Sequence, residues 1–201
     1  MSSATSAPDY SPKHIKEKAE GFLEKYHPSL SMPIPIEEII EFELNINIVP
    51  LHGLHRAYEI DGFTSNDLST ISVDAFLQES RPGRYRFTLA HEVGHVVLHR
   101  NLFLNHIFDS VVEWKEFTQS ISPRDYGIIE WQAYQFAGLV LVPPKILRAK
   151  YHEAVALAKE IGVFRGKAIE PSARQYIANW LAKQFVVSGE VIEKCLQRDK
   201  L

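Results

Sequence analysis

Residues 86–99 read RFTLAHEVGHVVLH, and no other stretch so limits what the chain can fold into. The length suits a helix of about four turns. Leu89, Ala90, Val93, Val96 and Val97 cover most of its circumference, and Phe87 and Leu98 share the remaining stripe with His91 and His95. A helix that is apolar nearly all round belongs in the interior of a protein. It therefore carries His91, Glu92 and His95 inward, where polar groups need hydrogen-bond partners or a metal. Each residue advances the helix by about 100°, so His91 and His95 stand about 40° apart and one turn removed.

His91-Glu92-Val93-Gly94-His95 is an HExxH sequence, the zincin signature. Two imidazoles at i and i+4 converge on one tetrahedral Zn²⁺, while the glutamate at i+1 points beside the ion. From there Glu92 is placed to take a proton from an activated water and pass it to the leaving amine. The competing reading is a satisfied pair of core histidines. With nine histidines in 201 residues, an HExxH arises by chance in about a few per cent of such chains. Burial of the helix favours the metal. Gly94 costs about 1 kcal/mol relative to alanine in mid-helix, so something is expected to approach closely there. Helix packing alone would suffice.

A catalytic zinc site needs a third protein ligand. The metzincin pattern would place glycine at 98 and histidine at 101, but the chain has Leu98 and Asn101. His99 lies about 80° round from His91, too far to share one ion, and reads as a polar residue complementing the dipole at the helix end. The downstream carboxylates are Asp109, Glu113, Glu116, Asp125 and Glu130. Glu113 and Glu116 flank Trp114-Lys115 and read as solvated; Asp125, beside Pro123 and Arg124, reads as a turn residue. Glu130 heads a stripe of Ala133, Ala137 and Leu141, whose small alanines would admit a second helix. From these residues alone Glu130 is open between a metal ligand and an exposed glutamate at a helix start.

The remaining sequence predicts an α+β fold with helices around one small sheet and a helical C-terminal third. Ser11-Pro12 starts a helix over Ile15 to Tyr26, and a second begins near Pro35 and carries Ile36, Ile39, Ile40 and Phe42. From Leu44 the period becomes two, and the turn signals Gly53 and Asp61-Gly62 predict a small antiparallel sheet over about residues 44–76. Ser80 to Gly83 reads as a loop. A helix from about Ile128 stops at Pro143-Pro144, and two or three amphipathic helices follow. The expected organisation is a flexible tail over 1–10, a zincin-like domain over 11–145, and a helical region over 146–201 packed on it.

Hydrophobic residues make up 45% of the chain and charged residues 23%, with a net charge of -3. That balance excludes a global attraction to nucleic acid or anionic membrane. Cys195 is the only cysteine, which excludes an internal disulfide framework and a Cys-rich metal site and fits a reducing compartment. The start MSSATSAPDYS lacks a basic segment followed by an apolar one, and no apolar run is long enough for a membrane span. A cytoplasmic location is the expectation.

RFTLAHEVGHVVLH and the later EWQAYQFAGLVLVP resemble the two blocks of the ImmA/IrrE family of zinc metallopeptidases. The family pattern is roughly RFTxAHExGHxxLH followed by ExxANxFAxxLLxP. The resemblance implies a zincin-like minimal core, one zinc ion on His91, His95 and Glu130, and Glu92 as general base. It also implies a protein substrate, a helix-turn-helix repressor, whose cleavage relieves repression in mobile elements or stress responses. Tyr134 stands where the pattern has asparagine, which would alter substrate fit. Tyr126, Tyr134, His152 and Arg86 are candidate oxyanion donors.

Two other classes compete. LAKQFVVSGEVIEKCL has the cadence of a DNA-binding helix-turn-helix, but its last helix sets Glu190, Glu193 and Asp199 against Lys194, Arg198 and Lys200. That balance disfavours phosphate contacts and direct nucleic-acid binding. The other is a metal-binding sensor with little peptidase activity.

Overall fold

The computed structural model describes residues 6–104, 106, 108, 110–165 and 169–201. Asp109 and residues 1–5 of the expected tail lie outside them. Helix α1, Pro12–Tyr26, starts where Ser11-Pro12 predicts, with Ser11 Oγ accepting the His14 amide at 3.2 Å. Helix α2, Ile36–Glu38, runs directly into a π-helical turn, Ile39–Glu43. The wider turn shifts the register of the face. Ile36, Ile39 and Ile40 stay buried, but Phe42, read above as part of the apolar face, points outward at 72% exposure.

Strand β1 (Asn47–Leu51), helix α3 (Leu54–Tyr58), strand β2 (Gly62–Thr64) and strand β3 (Thr70–Asp74) follow. Gly53 supplies the left-handed turn into α3 at φ 75°. The strand order is β1-β3-β2. The hairpin β2–β3 is antiparallel, Thr64 lying opposite Ile71, while β1 and β3 are parallel, Ile48 lying opposite the same residue. The sheet is thus mixed rather than wholly antiparallel. Two-residue alternation identifies the face a strand buries but not the direction of its neighbour. Here β3 enters between β1 and β2, parallel to one and antiparallel to the other, and leaves β2 at an edge.

Asp74 caps helix α4, Ala75–Ser80, by accepting the Phe76 amide. Only Arg81 separates α4 from α5, Pro82–Leu98, where the sequence suggested a loop over 80–83. Helices α6 (Arg100–Leu104) and α7 (Val111–Ser120) lead to α8, Pro123–Leu141. Helix α8 begins five residues ahead of the expected Ile128 because Ser122 caps it. Ser122 Oγ accepts the Asp125 amide at 3.1 Å and donates to the Asp125 carboxylate at 2.6 Å, so Asp125 is a cap partner and not a turn residue. Glu130 consequently sits two turns inside the helix. Helices α9 (Pro144–Glu160), α10 (Pro171–Phe185) and α11 (Gly189–Asp199) complete the described chain. Among the described residues, no helix is long and apolar enough to cross a membrane.

Helices α5 and α8 cross at the centre of the core. A Cβ on Gly94 would stand 3.0 Å from Ala133 Cα and 3.1 Å from its carbonyl oxygen, which accounts for glycine there. Leu89, Ala90, Val93, Ala133, Phe136 and Ala137 are fully enclosed, and α1, α2, α10 and α11 add Ile15, Ile36, Ile177, Leu181 and Ile192 to the same cluster. A second cluster gathers Phe63, Phe103, Trp114, Phe117 and Ile129 beneath the sheet and α7. The polar side chains of α5 meet those of α8 at the seam between the two clusters.

Candidate metal centre

Helix α5 presents His91 and His95 one turn apart, and α8, held close by the Gly94–Ala133 contact, brings Glu130 opposite them. His91 Nε2 stands 3.2 Å from Glu130 Oε2, and His95 Nε2 stands 3.3 Å from Glu130 Oε1. The two Nε2 atoms are 3.0 Å apart. Their side chains are 18%, 6% and 35% exposed for His91, His95 and Glu130, so the triangle opens to solvent chiefly on the Glu130 side. Glu92, 6% exposed, groups with His91 and His95 within 4.8 Å, and its Oε2 accepts a hydrogen bond of 2.8 Å from Thr64 Oγ1 on β2.

The donor triangle can be tested against a metal. Bonds of about 2.0–2.2 Å in a tetrahedral arrangement separate any two ligand atoms by about 3.3–3.6 Å. The observed separations are 3.0 Å between the two Nε2 atoms and 3.2 and 3.3 Å from each of them to its own Glu130 oxygen, at or just inside that spacing. Two imidazole lone pairs facing each other beside a carboxylate repel unless a cation or proton lies among them. Without a metal, protons fill that role. Burial opposes a charged His95, but the hydrogen bond and charge of Glu130 outweigh it and raise the pKa above the ordinary histidine value. Burial likewise opposes the Glu130 carboxylate, and hydrogen bonds from His91 and His95 outweigh that and hold its pKa below the usual carboxylate range. The residues present therefore fit a small divalent ion.

The triangle forms the floor of a cleft of about 600 Å³. One wall is the segment leading into the edge strand, with Ile60, Asp61 and Gly62; another is the start of α11, with Ser188, Glu190, Val191 and Lys194. Helix α11 is held there because the start of α5 has no side chain at Gly83, where a Cβ would come within 3.0 Å of the Val187 carbonyl carbon. Tyr134 packs on Phe87 at 4.8 Å between ring centroids, and Lys194 Nζ lies 4.8 Å from the Tyr134 ring centre.

A sequence model of the IrrE N-terminal-like domain, peptidase family M78, matches residues 76–197. The chain belongs to this family. No curated protein matches it. The M78 match runs from α4 almost to the end of α11, so it takes in both helices of the donor triangle and the α11 wall. As an M78 family member the chain is a peptidase, a hydrolase acting on a protein or peptide. His91, Glu92 and His95 form a group that could hold a metal ion.

Of the oxyanion candidates, Tyr126 and Tyr134 line the M78 cleft. Burial, and then the charges of Glu130 and Glu92, raise the Tyr126 pKa, so it remains a neutral hydroxyl donor. Arg86 instead reaches back to the Ile34 carbonyl and His152 is exposed on α9, neither of them lining the cleft. Glu113 and Glu116 are exposed on α7. His99 departs from expectation: it is 2% exposed, its Nδ1 lies 3.0 Å from His95 Nδ1, and its Nε2 lies 2.8 Å from Gln132 Oε1. Burial, then the neighbouring His95 charge, push its pKa down to about 3, so His99 is neutral and not a cationic helix end. Thr64 and Gln132 have no signal in the sequence, since each meets its partner only after distant segments pack.

Proposed function

We propose that this protein is a zinc-dependent endopeptidase in which His91, His95 and Glu130 hold the ion and Glu92 is the general base. The observation that carries the reading is the convergence of the two Nε2 atoms and the Glu130 carboxylate, whose 3.0–3.3 Å separations lie close to the spacing around a tetrahedral ion. Two imidazoles and one carboxylate are a donor set characteristic of catalytic zinc, which supports zinc over the harder oxygen-seeking cations. When bound, the ion supplies Lewis-acid polarisation of the scissile carbonyl and acidifies water.

The other steps belong to the chain's own residues. Glu92 takes the proton from the attacking water and delivers it to the leaving amine, and Thr64 holds one oxygen of that carboxylate in place. Tyr126, a neutral phenol beside Glu130, donates to the oxyanion that develops on the carbonyl. The walls formed by Ile60 to Gly62 and by α11 position the substrate, and Tyr134 with Lys194 shapes one end of the cleft.

The substrate class that we favour is a helix-turn-helix transcriptional repressor in the cytoplasm, following the resemblance of the two sequence blocks. Direct nucleic-acid binding by α10 and α11 finds no support in their placement. The first turns of α11 form the cleft wall, Lys194 pairs with Glu190 at 2.8 Å, and Ile192 and Cys195 face the core. The test is metal analysis of the wild type and Glu130→Ala, run beside cleavage of candidate repressors by the wild type and Glu92→Gln. Stoichiometric zinc in the wild type, loss in Glu130→Ala, and cleavage abolished in Glu92→Gln are expected. Absence of bound metal would refute the reading, and full zinc without cleavage would favour the sensor.

A further inference from the structure

The donor triangle leaves two buried polar side chains without a role, His99 and Gln132, which are 2% and 1% exposed. They form a continuous line with His95. His95 Nδ1 lies 3.0 Å from His99 Nδ1, His99 Nε2 lies 2.8 Å from Gln132 Oε1, and Gln132 Nε2 donates to the Pro8 carbonyl at 2.7 Å.

The last link fixes the direction of every proton in this line. A carbonyl oxygen only accepts, so Gln132 must turn its NH₂ group to Pro8 and its oxygen to His99. The reversed amide would set two acceptor oxygens 2.7 Å apart. Gln132 Oε1 only accepts, so His99 carries its proton on Nε2. The Nδ1 of that neutral ring is a lone pair, and it takes the proton on His95 Nδ1. In neutral His95, the form that binds a metal, Nε2 is then bare, and it is the atom 3.0 Å from His91 Nε2 and 3.3 Å from Glu130 Oε1.

We propose that Pro8, Gln132 and His99 are a positioning relay that locks His95 into the tautomer whose Nε2 is free to bind a metal. The inference rests on the metal reading of the site. Histidine ligands generally hand their second N–H to a carbonyl or carboxylate, which fixes both tautomer and ring orientation. Here the acceptor is a second histidine, itself oriented through an amide, and the line ends on a backbone carbonyl 124 residues away in sequence. Each link is direct, and His95, His99 and Gln132 are all almost fully enclosed. The segment that supplies Pro8 is fastened separately, the Ala7 amide donating to Asp125 Oδ1 at 3.2 Å. Helix α8 thus carries a proposed ligand, the amide of the relay and the anchor of its far end.

The experiment measures zinc affinity by competition with a chromogenic chelator and reads histidine protonation by ¹⁵N NMR of the zinc-loaded protein. His99→Leu removes the acceptor for His95 Nδ1–H and is expected to weaken zinc about 10–100-fold. His99→Asn offers a side-chain oxygen near the position of the lost Nδ1 and should restore most of that affinity. Deleting residues 1–9 frees the Gln132 amide and should weaken zinc by a smaller factor. The wild-type spectrum should show the His95 proton on Nδ1. Unchanged affinity in His99→Leu overturns the relay while leaving the metal reading intact, as does equal loss in His99→Leu and His99→Asn, which marks packing alone. A His95 proton found on Nε2 overturns it without any variant. A wild type that binds no zinc fails the metal reading itself and takes the relay with it.

Discussion

Replacing Gly94 by alanine tests whether the α5–α8 crossing sets the spacing of the candidate ligands. Helix propensity alone predicts stabilisation, since alanine is favoured over glycine in a helix by about 1 kcal/mol. The contact predicts the opposite. The new Cβ would lie 3.0 Å from Ala133 Cα, 3.1 Å from its carbonyl oxygen and 3.4 Å from its Cβ. Ordinary carbon contacts lie at about 3.5–4.0 Å, so the helices must separate by roughly half an ångström or more. Backbone atoms have no rotamer through which to yield, and overpacking of this kind costs about 1–3 kcal/mol. The net expectation is a loss of up to about 2 kcal/mol. Separation also lengthens the 3.2 and 3.3 Å edges from the histidines to Glu130, beyond the roughly 0.2 Å that metal–ligand distances tolerate. Zinc affinity should therefore fall by more than stability alone explains. Gly127, on the partner helix α8, is the control, because a Cβ there meets nothing within 4 Å. Gly127→Ala should gain about 0.5–1 kcal/mol and leave zinc binding unchanged. Urea denaturation of the metal-free proteins and chelator competition measure the two effects. A Gly94→Ala protein that is about 1 kcal/mol more stable than wild type with the same zinc affinity would refute the reasoning.

Removing the metal with a chelator should lower the melting temperature by roughly 5–10 °C when the reference sample holds free zinc at about 100 times Kd; an unchanged transition in a scanning calorimeter counts against a folded-state site. Glu92→Gln should retain zinc and lose about 10²–10⁴-fold in hydrolysis, and parallel loss of metal would show that Glu92 is a ligand and not a base. Thr64→Val removes the hydroxyl that holds Glu92; kcat should fall with zinc content unchanged, and a normal kcat would make the contact incidental. Cys195 is buried and burial pushes its thiol up to about 11. It should resist a disulfide reagent at pH 8 in the native protein and react on denaturation, because the thiolate is the reactive form.

The reach of the sequence follows from the distance over which each cause acts. HExxH is a local pattern, and a helix must bring His91 and His95 together wherever it lies. Glu130 was legible more weakly, through the small residues that follow it, because Ala133 and Ala137 indicate where another helix can approach. Ser122 and Asp125 form a local cap that the turn reading of Pro123 and Arg124 obscured. The direction of β1 against β3 depends on which strand enters between the other two, and no two-residue period encodes that choice. The angle of His99 to one ion says nothing of its partner, which is the neighbouring imidazole of His95 one turn back on the helix. Gln132 and Thr64 gain meaning only from segments 33 and 28 residues away.

The edge strand β2 starts at the cleft, where Gly62 lines the wall, and this has a consequence for what the cleft can accept. An edge strand offers unpaired backbone donors and acceptors, and these are satisfied in regular fashion only by another extended chain. Such pairing reads main chain and is nearly indifferent to side chains, so selection at this wall concerns conformation before sequence. A compact helical protein does not present an extended segment in its native state and must open locally to do so. Its cleavage would then follow the free energy of that opening: a mutation that stiffens the target far from the cut would protect it, and one that loosens it would expose it, with the peptidase itself unchanged.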